Sequence, residues 1–539
     1  MSMRARLRKG STCCLAAIIA CTSASPGAWA HGNDWNDWNW NNNGHGHDNG
    51  HGNNNGNGHG NGNGNGNNQS KLKSIFPSPT NRYMKDSVTV CDQGSFFVGG
   101  ALKATRYQNS STPSAVPSVI MIGQMYVQFQ IPAKYDSYPI IFVSGGAHTG
   151  AGLESTPDAR EGWAHHTLRR GIPVFNVDQS GRGRSGFDAS VIHEGVAKLT
   201  DADPSNDAEG RALIPNFLTL GVNTWTLWFG HLVNPQTGLP TNGTADPYVD
   251  QLVPHGWSKR DPDTTDIHAP GAKTQFPLDY WTKLAIPEGL VPKGEQLSTD
   301  FAGPKEAYLL NYYRQLVPNS EQTLPNGTCA ACNPHLIQNG GGFGPGHTWS
   351  PVALAELVEG LGKSYGGAVV ATHSQGGPVG NHLIRILKQH GTLGYLKGLV
   401  TVEGTAASLE NIGVTAQDLD NLPYLVVKGD YSTTSQQSQD IVNALIARRK
   451  MGRGKAAVEY IKLDEAPSKA NAWPSPLKRP IMPGITHMMM LTSDQGYGYD
   501  SNDIMDMILD WSDKNIPKMK KKIVCEKDGH DDDNWKPRW

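Results

Sequence analysis

Several things are scarce in this chain, and each scarcity excludes a class of protein. Charged residues make up 18% of the 539 positions and the formal net charge is −2, so no basic excess exists to hold a polyanion, and nucleic-acid binding is excluded as the main role. The four basic and no acidic groups of residues 1–30 make the remainder more acidic still, near −6. Long apolar runs are missing: the N-terminal one, 13–21, is too short to span a bilayer, and no other segment is long and apolar enough to try. From 31 to 68 aliphatic residues are absent altogether. These 38 positions are Asn, Gly, His, Asp and Trp only, a mixture with nothing to build a core from, and they read as part of a disordered linker over 31–85. Cysteine is sparse too, with seven in all, three of them before residue 30.

What is present at the N-terminus has the order of an export signal. Arg4, Arg6, Arg8 and Lys9 precede the apolar run, and Ala28-Trp29-Ala30 supplies a small-x-small cleavage site, so 1–30 is expected to be a signal peptide and the protein secreted or periplasmic. The alternative is lipidation of Cys21, which makes the linker a spacer from a membrane. Cleavage leaves Cys91, Cys329, Cys332 and Cys525, an even count that in an exported chain reads as disulfides. Of the three pairings available, Cys329 with Cys332 and Cys91 with Cys525 is the expected one. Cys329 and Cys332 lack the second Cys pair of a zinc site.

Residues 86–135 alternate apolar and polar positions and are expected to form leading antiparallel strands. The pattern then changes to short continuous apolar runs at 140–143, 174–177, 368–371, 399–402, 424–427 and 458–463, the mark of strands buried on both faces of a parallel sheet. Between them lie helical periods: Val379, Leu383, Ile386 and Leu387 form one stripe, Ile504, Met507, Ile508 and Trp511 another. The fold class is therefore α/β. About 170 residues from 187, rich in Pro, Gly and Trp and without strand-like runs, read as a cap inserted at about 187–350 over the C-terminal edge of the sheet, where open α/β folds bind ligands. Residues 516–539 read as a polar tail, which leaves 86–515 as the catalytic domain.

The strongest chemical signal is strand 368–371 followed by Thr372, His373, Ser374, Gln375, Gly376 and then a helix. Strand, sharp turn, helix with serine at the turn is a nucleophile elbow, and Gly376 lets strand and helix backbones approach closely. Thr372 stands where the first Gly of G-x-S-x-G is usual. A serine nucleophile needs a base, and the base needs a partner that fixes its tautomer. Downstream of Ser374, His382 and His390 fall on the helix and His530 in the tail, so His487, between the final strand and final helix, is the expected base. Two acids compete. Asp430 follows the strand ending at Val427, the usual place, but Gly-Asp there is also a common turn; Glu403 lies at the tip of the strand beside that of Ser374, where a buried glutamate has fewer structural reasons to be. Oxyanion donors are expected from the N–H groups of Gln375 and of Gly146, in the loop 144–148 after the first parallel strand.

These residues, with Gly94 to Gly100, Gln124 to Val127 and Asp178-x-x-Gly181-x-Gly183-x-Ser185, resemble a small group of secreted bacterial serine esterases of the α/β-hydrolase fold. In that group the triad acid is a glutamate after the sixth strand, so the resemblance implies Glu403. Gly146 and Ala147 depart from it, standing where paired cysteines are expected. The implied activity is esterase chemistry through an acyl-enzyme, on a small or polymeric ester; the rival expectations are a peptidase or lactonase on the same fold, or a surface-binding protein with an inactive hydrolase domain. Arg182 is expected to clamp a loop. Trp225, Trp228 and Trp281 are weak candidates for lining the substrate pocket. No cofactor is implied, and His45, His47 and His51 in a flexible tract do not define a catalytic metal site.

Overall fold

A computed structural model describes residues 87–214, 349–404, 409–429, 436–494, 496–520 and 522–525, with the shorter stretches 228–229, 232–233, 240–241, 253–254, 281–285, 298–302 and 308–317. The chain divides between residues 67 and 68, and everything described belongs to the second unit, Asn68–Trp539. The expected signal peptide and linker, Cys21, Cys329, Cys332, Trp225, Asp430 and His530 lie outside the described residues.

Nine strands form one sheet: β1 (Val90–Thr105), β2 (Ser118–Pro132), β3 (Ile140–Val143), β4 (Val174–Asp178), β5 (Ala368–His373), β6 (Leu396–Val402), β7 (Tyr424–Lys428), β8 (Val458–Lys462) and β9 (Ala472–Trp473). Their spatial order is β1-β2-β4-β3-β5-β6-β7-β8-β9. Strands β4 through β8 run parallel; β1, β2 and β9 are antiparallel to their neighbours. This is a mostly parallel mixed α/β sheet with leading antiparallel strands, and all six apolar runs of the sequence are in it.

Side chains alternate across a strand, so a run apolar at every position feeds two cores. Ile140, Phe142, Val369, Ala371, Val400 and Val402 point into one, with α1 (Trp163–Arg169) and α5 (Ser501–Asn515) packed over them. Ile141, Val143, Val370, Leu399 and Val426 point into the other, under α2 (Trp349–Tyr365), α3 (Gly376–His390) and α4 (Gln436–Lys450). The expected stripes face inward: Val379, Leu383 and Leu387 of α3 and Ile504 and Trp511 of α5 are at most 1% exposed. Asp500 begins α5 with a capping box, accepting from the Asn502 N–H while Asp503 accepts from its own.

Two expectations need correction. The inserted region is not free of strands: Trp281–Ala285 pairs antiparallel with Ser298–Ala302, and helices Ser190–Thr200, Asp207–Leu213 and Tyr308–Tyr313 flank them. Five-residue strands are too short for a period of two to stand out against the surrounding Pro and Gly. The polar tail does not begin at 516 either. Ile516 is 7% exposed in the core, Met519 donates its N–H to the Asp136 carbonyl, and Ile523 and Val524 pair with Lys134 and Tyr135. The lysines at 518–522 hide this return, because two apolar residues suffice to pair. It ends in a disulfide between Cys525 and Cys91.

Candidate active site

The site lies where the sheet changes direction. Chain order runs outward from β3 to β4 on one side and from β5 to β8 on the other, so the loops after β3 and β5 diverge and leave a crevice at their C-terminal ends. Ser374 directly follows β5 and Gln375 is the N-cap residue of α3. The turn is strained: Ser374 has φ 50°, a left-handed value that costs a residue with a Cβ about 1–2 kcal/mol. Among the described residues only four non-glycine positions have positive φ, and three of them, Ala147, Ser374 and Glu403, lie just after β3, β5 and β6. Strain concentrated this way marks a place where geometry is held for a purpose other than stability.

Nε2 of His487 lies 2.9 Å from Oγ of Ser374, and its Nδ1 lies 3.1 Å from Oε2 of Glu403. The carboxylate can only accept, so Nδ1 carries the proton and Nε2 is free to accept that of the serine. Glu403 directly follows β6; its N–H donates to the Val427 carbonyl at 2.9 Å, and its Oε1 accepts from the Gly429 N–H at 2.6 Å. Glu403 and His487 are buried, at 0% and 2% exposure, whereas Ser374 remains partly exposed. The pair that must hold geometry is shielded from water, and the hydroxyl that would meet a ligand is open. The Lys428 ammonium is buried nearby and donates to the Gly404 carbonyl at 3.2 Å; burial draws its pKa down, against the opposing pull of the Glu403 carboxylate. His373 also supports His487, since its Nε2–H donates to the His487 carbonyl at 2.9 Å, and burial followed by the neighbouring His487 pushes its pKa down to about 3.

The loop after β3 packs closely against the elbow at Gly145 and Gly146. A Cβ on Gly145 would come within 2.9 Å of the Ser374 Cβ, and one on Gly146 within 2.9 Å of Gln375 Oε1. Gly146, Ala147, Ser374 and Gln375 are all partly exposed, forming one floor. Arg182, 1% exposed, holds the loop from behind: Nη1 donates to the carbonyls of Gly145 and His148, and Nη2 lies 3.3 Å from Gln375 Oε1. Gln179 adds a bond to the Ser144 carbonyl at 2.6 Å. Asp178, at the end of β4, accepts from the Gly150 N–H at 2.7 Å and pairs with Arg184, which pins this loop to the next.

The structure therefore brings together Ser374, His487, Glu403, Gln375 and Gly146, with Arg182 beneath. Trp228 is 7% exposed, its ring packed edge-on against His148 and Tyr312, while its carbonyl accepts from the His487 N–H at 3.1 Å; it is a wall of the base loop. Trp281 opens an inserted strand, and its side chain lies outside the described residues. Sequence reasoning missed His148, Tyr312, His373 and Lys428. A histidine flanking each of two functional loops was the available signal for His148 and His373; nothing pointed to Tyr312, in an insertion without readable pattern. Among the described residues no three His, Cys, Asp or Glu are placed to hold a metal. The rings of His148, His373 and His487 do lie in a row, with centroids 6.3 and 5.0 Å apart, but both nitrogens of His148 and His487 and Nε2 of His373 are bonded within the protein.

A mostly parallel α/β sheet with serine, histidine and glutamate in a hydrogen-bonded line after β5, β9 and β6 is the class of arrangement present. No protein-family model matches the chain. Over 142 residues it is 31% identical to the probable secreted lipase phiG of Fungal sp. (strain ATCC 74256), a match over 25% of this chain and 36% of that protein, so the chain spans about a third of the length of that relative. A solved structure described as a novel bacterial esterase is similar at 23% identity and a TM-score of 0.49, covering 80% of this chain and 99% of that one.

Proposed function

We propose that this chain is an exported serine hydrolase that cleaves carboxylic esters through an acyl-enzyme. The observation that carries the reading is the pair of hydrogen bonds joining Ser374 Oγ to His487 and His487 to Glu403 at a strained elbow. Ser374 Oγ attacks the ester carbonyl while His487 Nε2 takes its proton; the tetrahedral oxyanion is held by the N–H groups of Gln375 and Gly146; the imidazolium, stabilised by Glu403, then protonates the leaving alcohol. Water repeats the sequence to release the acid. The similarity to a protein named as a secreted lipase agrees with an ester substrate, and the Cys91–Cys525 disulfide agrees with an oxidising compartment reached by the signal at 1–30.

The test is turnover of a short chromogenic ester by the full chain, with Ser374→Ala beside it and a serine-directed phosphonate as label. The reading expects turnover that Ser374→Ala lowers by at least about 10⁴-fold and a label confined to Ser374. A label on another serine, or equal turnover by Ser374→Ala, overturns it.

A further inference from the structure

Gly146 lies between two peptide planes, and each is held at its carbonyl. Arg182 Nη1 donates to the Gly145 carbonyl at 2.5 Å, and Nδ1 of His148 lies 2.6 Å from the Gly146 carbonyl. A carbonyl only accepts, so Nδ1 of His148 carries the ring proton. Its Nε2 then accepts, and the Tyr312 hydroxyl, 2.7 Å away, donates to it. In a trans peptide the C=O and N–H point in opposite directions, so the hold on the Gly145 carbonyl aims the Gly146 N–H, and the hold on the Gly146 carbonyl keeps the next plane from turning. Without these holds a glycine is the residue least able to keep one conformation, and Ala147 beside it is strained at φ 57°.

We propose that His148 is a positioning residue of the oxyanion loop: its Nδ1–H, in a tautomer set by Tyr312 of the inserted region, fixes the Gly146 peptide so that the Gly146 N–H keeps its direction beside Ser374. The proposal rests on the serine-hydrolase reading and deepens it, because it makes the insertion part of the chemical step. Two other bonds tie the same loop to the insertion, the Val317 N–H to the Ala147 carbonyl at 2.8 Å and the Trp228 ring edge on His148 at 5.3 Å. The titratable and charged groups facing His148 are His373, Arg182, His487 and Tyr312. Burial first, then the nearby His373 and Arg182, holds its pKa down to about 3 against the pull of the Gly146 carbonyl, so the ring stays neutral and the tautomer singular above that pH.

Three variants of the full chain, His148→Leu, His148→Asn and Tyr312→Phe, test this by kcat and KM on a short chromogenic ester and by the rate of phosphonate labelling. His148→Leu is expected to lower kcat about 10²-fold with KM nearly unchanged, and to slow labelling alongside, as removal of an oxyanion donor does. His148→Asn, whose amide N–H takes the place of Nδ1–H, is expected to recover about 10-fold of that loss. Tyr312→Phe is expected to lower kcat about 10-fold, since the tautomer is no longer fixed. A merely structural role would lower melting temperature and activity together with no recovery by Asn. His148→Leu at wild-type kcat, or His148→Asn no better than His148→Leu, overturns the proposal; if His148→Leu does not fold, Tyr312→Phe at wild-type kcat does so. A wild-type chain that turns over no ester and takes no phosphonate overturns the serine-hydrolase reading, and this one with it.

Discussion

The Gly429 N–H donates to Oε1 of Glu403 at 2.6 Å, while Oε2 of the same carboxylate faces His487. The residue just before Asp430, the rival acid, thus serves as a support for Glu403. A carboxylate that accepts one backbone bond and one imidazole bond has its orientation fixed on both sides. If Glu403 is the acid, Glu403→Gln keeps the shape, removes the charge and leaves His487 free to take the wrong tautomer. The expected loss in kcat/KM is on the order of 10⁴ with little change in melting temperature. Asp430→Asn is expected to keep turnover and to cost about 1 kcal/mol in stability. The reverse pattern, measured on the same chromogenic ester, returns the acid role to Asp430.

The sheet could be read from the sequence because both of its cores leave a local trace. Six apolar runs and two helical stripes each fit within a dozen residues, and the elbow at Ser374 is local as well. The choice between Glu403 and Asp430 was not local: it turns on a backbone N–H at Gly429 and on where β6 and β7 end relative to His487. Nor could the sequence reveal that His148 reaches Tyr312, 164 positions away, across an insertion whose strands are five residues long. Long-range contacts made by one or two residues carry no periodicity.

The elbow strain has a consequence for stability. Ser374 at φ 50° holds its Cβ against the following carbonyl, a cost that glycine does not bear. At an ordinary position Ala is the better replacement; here Ser374→Gly is expected to be more stable than Ser374→Ala by about 1 kcal/mol. Urea midpoints of the two variants check this. If Ser374→Ala is the more stable, the turn is not strained.

Buried neutral histidines make stability depend on pH. Burial first, then the neighbouring His373 for His148, His487 for His373 and Arg385 for His382, holds His148 and His373 down to about 3 and His382 down to about 4, and among the described residues the Nδ1 of His382 has no hydrogen-bond partner. In the unfolded chain each titrates near ~6.5. Between those values the unfolded state binds more protons, so stability is fully present above about 6.5 and is lost as pH falls toward 4. The His382→Leu chain, which removes one such group on α3 away from Glu403 and His487, is expected to lose less: by pH 4.5 the wild type should have fallen about 2 kcal/mol further than the variant, relative to pH 7. Parallel melting curves across that range exclude His382 from the effect.

The bond between Cys91 and Cys525 joins the first strand of the sheet to the last described residues, 434 positions apart in sequence. Closing so long a loop restricts the unfolded chain strongly, and its loss is expected to cost about 2–4 kcal/mol. The return of the chain along Lys134 and Tyr135 is only two residues of pairing and cannot hold by itself. Cys525→Ser is therefore expected to lower the melting temperature by about 2–4 °C, and to make residues after Ile516 the first site of proteolytic nicking. Peptide mapping without reduction should recover Cys91 linked to Cys525, leaving Cys329 and Cys332 to pair with each other. A peptide joining Cys91 to Cys329 refutes that pairing, and a Cys525→Ser chain that melts with the wild type shows that the tie carries no stability.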